Sequence, residues 1–156
     1  MSNPKLGIIG GGQLGSLLTE AAKYLNVETV ILTDDINAPA KNFTKNLICG
    51  NYEDENLINE FISKVDLVTF EFENIPYKIL KNINTYKPVL PNPEINKLIQ
   101  NRYSEKDFLN QIDIRTTKYK LIKNKDEIKL NENLIPGILK TCTLGYDGKG
   151  QFKINS

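Results

Sequence analysis

Apolar and polar positions follow two alternating registers along the first ninety residues. Lys5–Ile9 is a short apolar run that stops at Gly10, and from residue 13 to 25 the apolar positions Leu14, Leu17, Leu18, Ala21, Ala22 and Leu25 recur at helical spacing. The pattern predicts strand, tight turn and helix. A β-rich run at 28–32 stops at Asp34-Asp35, and a loop containing Pro39 leads to a short strand at 46–49. Residues 54–63 predict an amphipathic helix with Leu57, Ile58, Phe61 and Ile62 on one side, followed by strands at 66–70 and 88–91. Strands alternating with helices at this interval predict an α/β fold, a doubly wound parallel sheet with right-handed crossovers.

From Asn92 the texture changes. Helical stretches at 94–100 and Arg102–Gln111 lead into 116–122, a short helix near 126–130, strands at 138–140 and Gln151–Ile154, and a glycine-rich loop between them. The expected division is therefore 1–91 and 92–156. The second part has short strands but little periodic apolar surface and looks unfinished; about 60 residues is near the lower limit for an independent core, so it needs support from elsewhere.

Composition narrows the chemistry. The chain has 156 residues, 40% hydrophobic and 25% charged, and no histidine, which removes imidazole bases, Ser-His-Asp and Cys-His triads and His-ligated zinc together. Cys49 and Cys142 show no metal-ligand or disulfide spacing, and no apolar stretch reaches the length of a membrane span. A cytoplasmic protein is expected. The net charge of +1 gives no footprint for nucleic acid. It conceals an asymmetry, because residues 1–78 carry a net −5 and residues 79–156 a net +6. Asn, Ile and Lys dominate the composition, so a lysine-rich solvated face is the plain reading of the basic half.

Three segments carry candidate chemistry. Gly10-x-Gly12-x-x-Gly15 lies between a predicted strand and helix, where glycines let a phosphate approach backbone N–H groups, and Asp34 or Asp35 could accept a ribose hydroxyl. That points first to a nicotinamide- or nucleotide-binding module; the plain alternative is a close strand–helix turn. Glu71-Phe72-Glu73-Asn74-Ile75-Pro76 follows a strand, and spacing alone leaves Glu71 open between a ligand role and a helix-cap role, with Glu73 read as structural. Lys140 ends an apolar run before a loop containing Gly145, Tyr146, Asp147, Gly148, Lys149, Gly150 and Gln151, a composition suited to covering phosphates. Its plain alternative is an Asp-Gly hairpin turn with surface lysines. Arg102, one of two arginines in a lysine-rich chain, suggests a fork for phosphate or carboxylate.

Taken in order, the segments 8–15, 66–76, 100–106, 139–141 and 145–151 closely resemble the 5-(carboxyamino)imidazole ribonucleotide synthase family of ATP-grasp ligases in purine biosynthesis. The resemblance implies a Rossmann-like pre-ATP-grasp domain at 1–91, and at 92–156 the start of an α+β ATP-grasp domain. It implies that ATP and bicarbonate form carboxyphosphate, which carboxylates 5-aminoimidazole ribonucleotide. Arg102, Lys140, Gly145, Tyr146, Asp147, Gly148, Lys149, Gly150 and Gln151 would bind ATP. Gly12, Gln13, Leu14 and Glu71 would serve the substrate nucleotide. Mg²⁺ is implied, with its ligands in a C-terminal part beyond Ser156, so no metal-binding or catalytic residue is assigned here. The partners to expect are a second copy or a complementing C-terminal polypeptide, and the chain alone is expected to be inactive. The remaining possibility is a non-catalytic remnant paired with a second polypeptide. Leu144 departs from the family, which usually has glycine there, and should stiffen the start of the loop.

Overall fold

The strand Lys5–Ile9 (β1) puts Ile8 on one side and Ile9 on the other, and both are fully buried, so the sheet needs cover on both faces. A computed structural model describes residues 3–145 and 148–155, which fall into two compact units, Met1–Asn96 and Lys97–Ser156.

In the first unit, β1 is followed by helix α1 (Gln13–Tyr24), β2 (Glu28–Thr33), β3 (Leu47–Cys49), α2 (Glu55–Lys64), β4 (Leu67–Phe70) and α3 (Tyr77–Asn84), and the chain passes to the second unit within α4 (Pro93–Ile99). The four strands form a parallel sheet in the order β3-β2-β1-β4, with Ile9 beside Leu32 on one side and Phe70 on the other. One face packs Ile9, Leu32 and Val68 against Ile58 and Phe61 of α2 and Leu80 and Ile83 of α3. The other buries Ile8 and Ile31 with Ala40, from the 3₁₀ turn Pro39–Asn42 that lies against α1. The chain leaves β1 toward β2 and returns to its opposite side as β4, which makes the carboxyl ends of β1 and β4 the switch point of the sheet.

The structure departs from the sequence pattern, or adds to it, at four places. First, α1 turns Gly15, Ser16, Thr19 and Ala22 inward and leaves Leu14, Leu17, Leu18 and Leu25 exposed, because close approach to the sheet admits only small side chains. An added Cβ on Gly15 would stand 2.4 Å from the Gly10 carbonyl oxygen. Second, the strand expected at 88–91 contracts to one bridge between Val89 and Val68. Pro88 and Pro91 have no N–H to donate, and the Val89 N–H goes to the Asn84 side chain. Third, α3 went unpredicted although Ile79, Leu80 and Ile83 have helical spacing. Fourth, residues 116–122 join no strand among the described residues.

The second unit contains α5 (Arg102–Gln111), the short α6 (Asp126–Lys129) and an antiparallel hairpin of β5 (Gly137–Lys140) and β6 (Gln151–Ile154). None of its described residues is fully buried.

Candidate functional site

The first cluster stands at the switch point. Gly10 leaves β1 at φ +102°, a region that favours glycine, and its N–H still donates to the Leu32 carbonyl at 2.8 Å. Glu71 continues β4, donating its own N–H to the Ile9 carbonyl at 3.1 Å, while its Oε1 accepts from the Gly12 N–H at 3.2 Å. Gly12 is the N-cap of α1, a helix with no acidic residue in its first turn. The Glu71 carboxylate supplies the negative charge that this helix end favours. It also crowds Gly10, where a Cβ would lie 2.6 Å from its Cγ and Oε1.

This placement decides between the two readings of the turn. A dinucleotide would bring its pyrophosphate to the helix end where Glu71 already stands, setting like charges together, so the nicotinamide reading is abandoned. The helix-cap option also resolves. Glu71 does not cap α3, whose N-cap position is Pro76 with no side-chain hydrogen bond. Burial holds the Glu71 carboxyl above its ordinary value, against the lowering effect of the Gly12 N–H, and the Glu73 charge raises it further.

Gln13 and Leu14 are exposed on the first turn of α1. Leu14, Leu17 and Leu18 line a cavity of about 400 Å³ with Glu71 on its wall. An apolar wall with one carboxylate can take a ring that carries an N–H donor. Asp35 caps its own loop by accepting from the Asn37 N–H at 2.8 Å. Asp34 sits 3.5 Å from the Tyr52 hydroxyl, whose pKa is pushed up to about 12, first by burial and then by the Asp34 charge.

The second cluster lies within the other unit. Arg102 opens α5 behind the N-cap Asn101, whose side chain accepts from the N–H groups of Tyr103 at 3.0 Å and Ser104 at 3.2 Å. From there Arg102 holds the hairpin twice. Its N–H donates to the Cys142 carbonyl at 2.9 Å, and Nη1 donates to the Thr141 carbonyl at 3.1 Å. Lys140 faces Gln151 across the last register pair before the loop, so the side chains of both leave the same face of the hairpin.

The loop between β5 and β6 is too long for a two-residue hairpin turn. Thr141 organises it. Its N–H donates to the Gly150 carbonyl at 2.8 Å, and its Oγ1 stands 2.7 Å and 2.6 Å from where a Cβ on Gly145 or Gly150 would be. The sequence reading assigned Thr141 no role; its place directly after Lys140, before the glycines, was the available signal. Tyr146 and Asp147 lie outside the described residues, while Gly148 and Lys149 are exposed at the end of the loop. Among the described residues no group of three or more His, Cys, Asp or Glu side chains could hold a metal ion. The described residues therefore offer no carboxylate cluster that would fit a magnesium ion. No described helix is long and apolar enough to cross a membrane.

A parallel switch-point sheet whose glycine turn receives a glutamate, followed by a second unit with a glycine-loop hairpin, defines an α/β class. The chain belongs to the ribonucleotide synthetase preATP-grasp domain family, whose model matches residues 3–100. Among curated proteins it is similar to the N5-carboxyaminoimidazole ribonucleotide synthases of Brucella melitensis, 37% identical over 153 residues, and Bacillus subtilis, 34% identical over 151. These alignments cover 97% and 96% of this chain but 42% and 40% of the relatives, so the chain spans about two fifths of their length.

Solved structures agree. An ADP complex of N5-carboxyaminoimidazole synthetase from Staphylococcus aureus superposes with a TM-score of 0.92 at 32% identity, covering 98% of this chain and 42% of that one. The synthase from Aspergillus clavatus in complex with ADP and 5-aminoimidazole ribonucleotide gives 0.85 at 28%, covering 99% and 41%.

Proposed function

We propose that these residues serve as the N-terminal portion of an ATP-dependent carbon–nitrogen ligase that carboxylates 5-aminoimidazole ribonucleotide. A bicarbonate oxygen attacks the γ-phosphorus of ATP, the bond to the ADP oxygen breaks, and carboxyphosphate forms. The exocyclic amine of the ribonucleotide then attacks the carboxyl carbon and phosphate leaves with the bonding pair. The proton lost from the amine passes to phosphate or solvent, leaving the N-carboxylated nucleotide, ADP and phosphate.

Residues 1–91 form the substrate-side domain and 92–156 open the ATP-grasp domain. Arg102 and Lys140 offset phosphate charge, and Gly145, Tyr146, Asp147, Gly148, Lys149, Gly150 and Gln151 line the triphosphate. Gly12, Gln13, Leu14 and Glu71 receive the ribonucleotide, with Glu71 accepting from its amine and Leu14 against its ring. Magnesium would offset the charge that develops on the transferring phosphoryl group, and none of the described residues is assigned to hold it. The chain works in the cytoplasm and reaches full activity only with the rest of the ligase, as a complementing polypeptide or within a longer one, with a homodimer as the assembly.

The observation that supports this reading most is the double hold of Arg102 on Thr141 and Cys142, which keeps a guanidinium next to Lys140 at the mouth of the glycine loop. Lys140→Ala, in a polypeptide carrying the rest of the ligase, is expected to lower kcat/KM for ATP by about tenfold to a hundredfold, the loss of one charge-assisted phosphate contact. Steady-state kinetics with 5-aminoimidazole ribonucleotide and bicarbonate check it. Unchanged ATP kinetics would remove Lys140 from the site.

A further inference from the structure

Asn96, in the middle of α4, is fully buried, and its amide is half satisfied. Nδ2 donates to the Ile75 carbonyl at 3.2 Å, while Oδ1 meets no donor among the described residues. A buried acceptor without a partner costs a fold more than one neutral hydrogen bond returns, so an apolar side chain of similar shape would serve stability as well or better. What the amide does is hold the Ile75 carbonyl.

Ile75 lies in the segment 71–76, between the end of β4 and the start of α3. At one end of this segment the Glu71 N–H is fixed on the Ile9 carbonyl at 3.1 Å, and the Glu71 carboxylate accepts from the Gly12 N–H. The other end is held from α4 at two places. Asn96 takes the Ile75 carbonyl, and the Glu94 carboxylate accepts from the hydroxyl of Tyr77, directly after Pro76. The start of α4 is itself well seated: the Asn92 side chain accepts from the Glu94 N–H at 2.9 Å, the Asn92 carbonyl accepts from the Ile95 N–H at 2.9 Å, and Pro93 is buried. These residues all lie within the first unit. A short segment tied at both ends keeps few conformations, so the Glu71 side chain is aimed before anything binds to it.

We propose that Asn96 is a positioning residue for the candidate substrate site: it fixes the Ile75 carbonyl from behind, Glu94 steadies the following residue Tyr77, and the Glu71 carboxylate is thereby kept on the Gly12 N–H. The inference rests on the substrate role proposed for Glu71 and adds to it the buried group that sets its place.

The test begins with the 156-residue chain. Asn96→Leu keeps a similar volume and removes both the donor and the partnerless oxygen. Its denaturant midpoint should stay at or above that of the wild type, while exchange of the Gly12 amide, followed by NMR, should speed up at least about tenfold relative to the amides of β1 and β2. Tyr77→Phe removes the hydroxyl that reaches Glu94 and should speed the same amide about twofold to threefold; it decides the matter if Asn96→Leu fails to fold. In a polypeptide carrying the rest of the ligase, Asn96→Leu should raise KM for 5-aminoimidazole ribonucleotide about tenfold and leave KM for ATP unchanged.

Gly12 exchange that is unchanged in both variants, or faster only in step with the amides of β1 and β2, would overturn the positioning role. The kinetic arm separates it from the reading on which it rests. Faster exchange at Gly12 with KM for the ribonucleotide unchanged counts against the substrate role of Glu71 and leaves the positioning standing. A raised KM with exchange at Gly12 unchanged does the reverse.

Discussion

An added Cβ at Gly15 would stand 2.4 Å from the Gly10 carbonyl oxygen, whereas at Gly148 its nearest neighbour would be the Gln151 side-chain nitrogen at 3.4 Å. The first turn is fixed by backbone already in place and sits on a sheet buried on both faces. The second turn is organised from one side, by Thr141 and Arg102, on an exposed two-stranded hairpin. The difference in surroundings is large, for every fully buried aliphatic or aromatic residue among those described lies between Ile8 and Val89. One unit holds its glycines against backbone, and the other packs Gly145 and Gly150 against the Thr141 side chain while Gly148 stands clear. That contrast is in keeping with the roles proposed above, a substrate seat at the first turn and a phosphate-covering loop at the second.

The largest effect that would break this contrast concerns the core. Phe61 is fully buried, and its Cζ fills the space where a Cβ on Gly7 would lie 2.5 Å away. Phe61→Ala should cost about 3–5 kcal/mol. Phe108→Ala, on the exposed side of α5, should cost about 1 kcal/mol or less. Urea unfolding monitored through amide exchange of the β1 and β2 strands measures both; equal losses would mean that the second unit carries a share of the core that its exposure denies.

Next in size is a pair of opposite sign. Gly15→Ala forces a methyl into the Gly10 carbonyl and should destabilise by about 1–3 kcal/mol. Leu144 sits at φ +59° with its side chain exposed, so Leu144→Gly should stabilise by about 0.5–1 kcal/mol, the relief of left-handed strain less the added freedom of the unfolded chain. Thermal unfolding of the two variants reads both signs. A loss in both would show that Leu144 makes contacts worth more than its strain.

The sequence made the sheet legible because both faces of its strands are apolar, as with Ile8 and Ile9, and because Gly10 marks where a strand stops and Asp54 where a helix begins. At α1 the helical spacing was legible but not which face is buried, and the apolar stripe is the exposed one. Tertiary closeness decides that, since only Gly15, Ser16, Thr19 and Ala22 fit against the sheet. Residues 88–91 read as β-rich, yet two prolines leave little to pair. At the site, the glycines and Lys140 could be found from spacing, while the Glu71 contact with Gly12 could not, because the two are 59 positions apart and meet only through the sheet order. Thr141 was hidden for a related reason: its importance lies in the space it takes beside Gly145 and Gly150.

The smallest expected effect probes what Glu71 does at the first turn. Folding raises its carboxyl above the ordinary value of 4.5, so the folded state holds the proton more tightly than the unfolded chain. The resulting contribution to stability is fully present below that ordinary value and is lost as pH rises through the raised one. Glu71→Gln keeps an oxygen for the Gly12 N–H but removes the titration. The variant should therefore gain on the wild type in denaturant midpoint as pH rises from the ordinary value of 4.5 through the raised one, and run parallel to it above that. Glu73→Gln should shrink the gain slightly, because the Glu73 charge contributes to the shift. If the wild type instead gained on the variant as pH rose, attraction from the Gly12 N–H and the helix end would outweigh burial. The turn would then be an anion seat in its own right, and the argument against a phosphate at Gly12 would lose its footing.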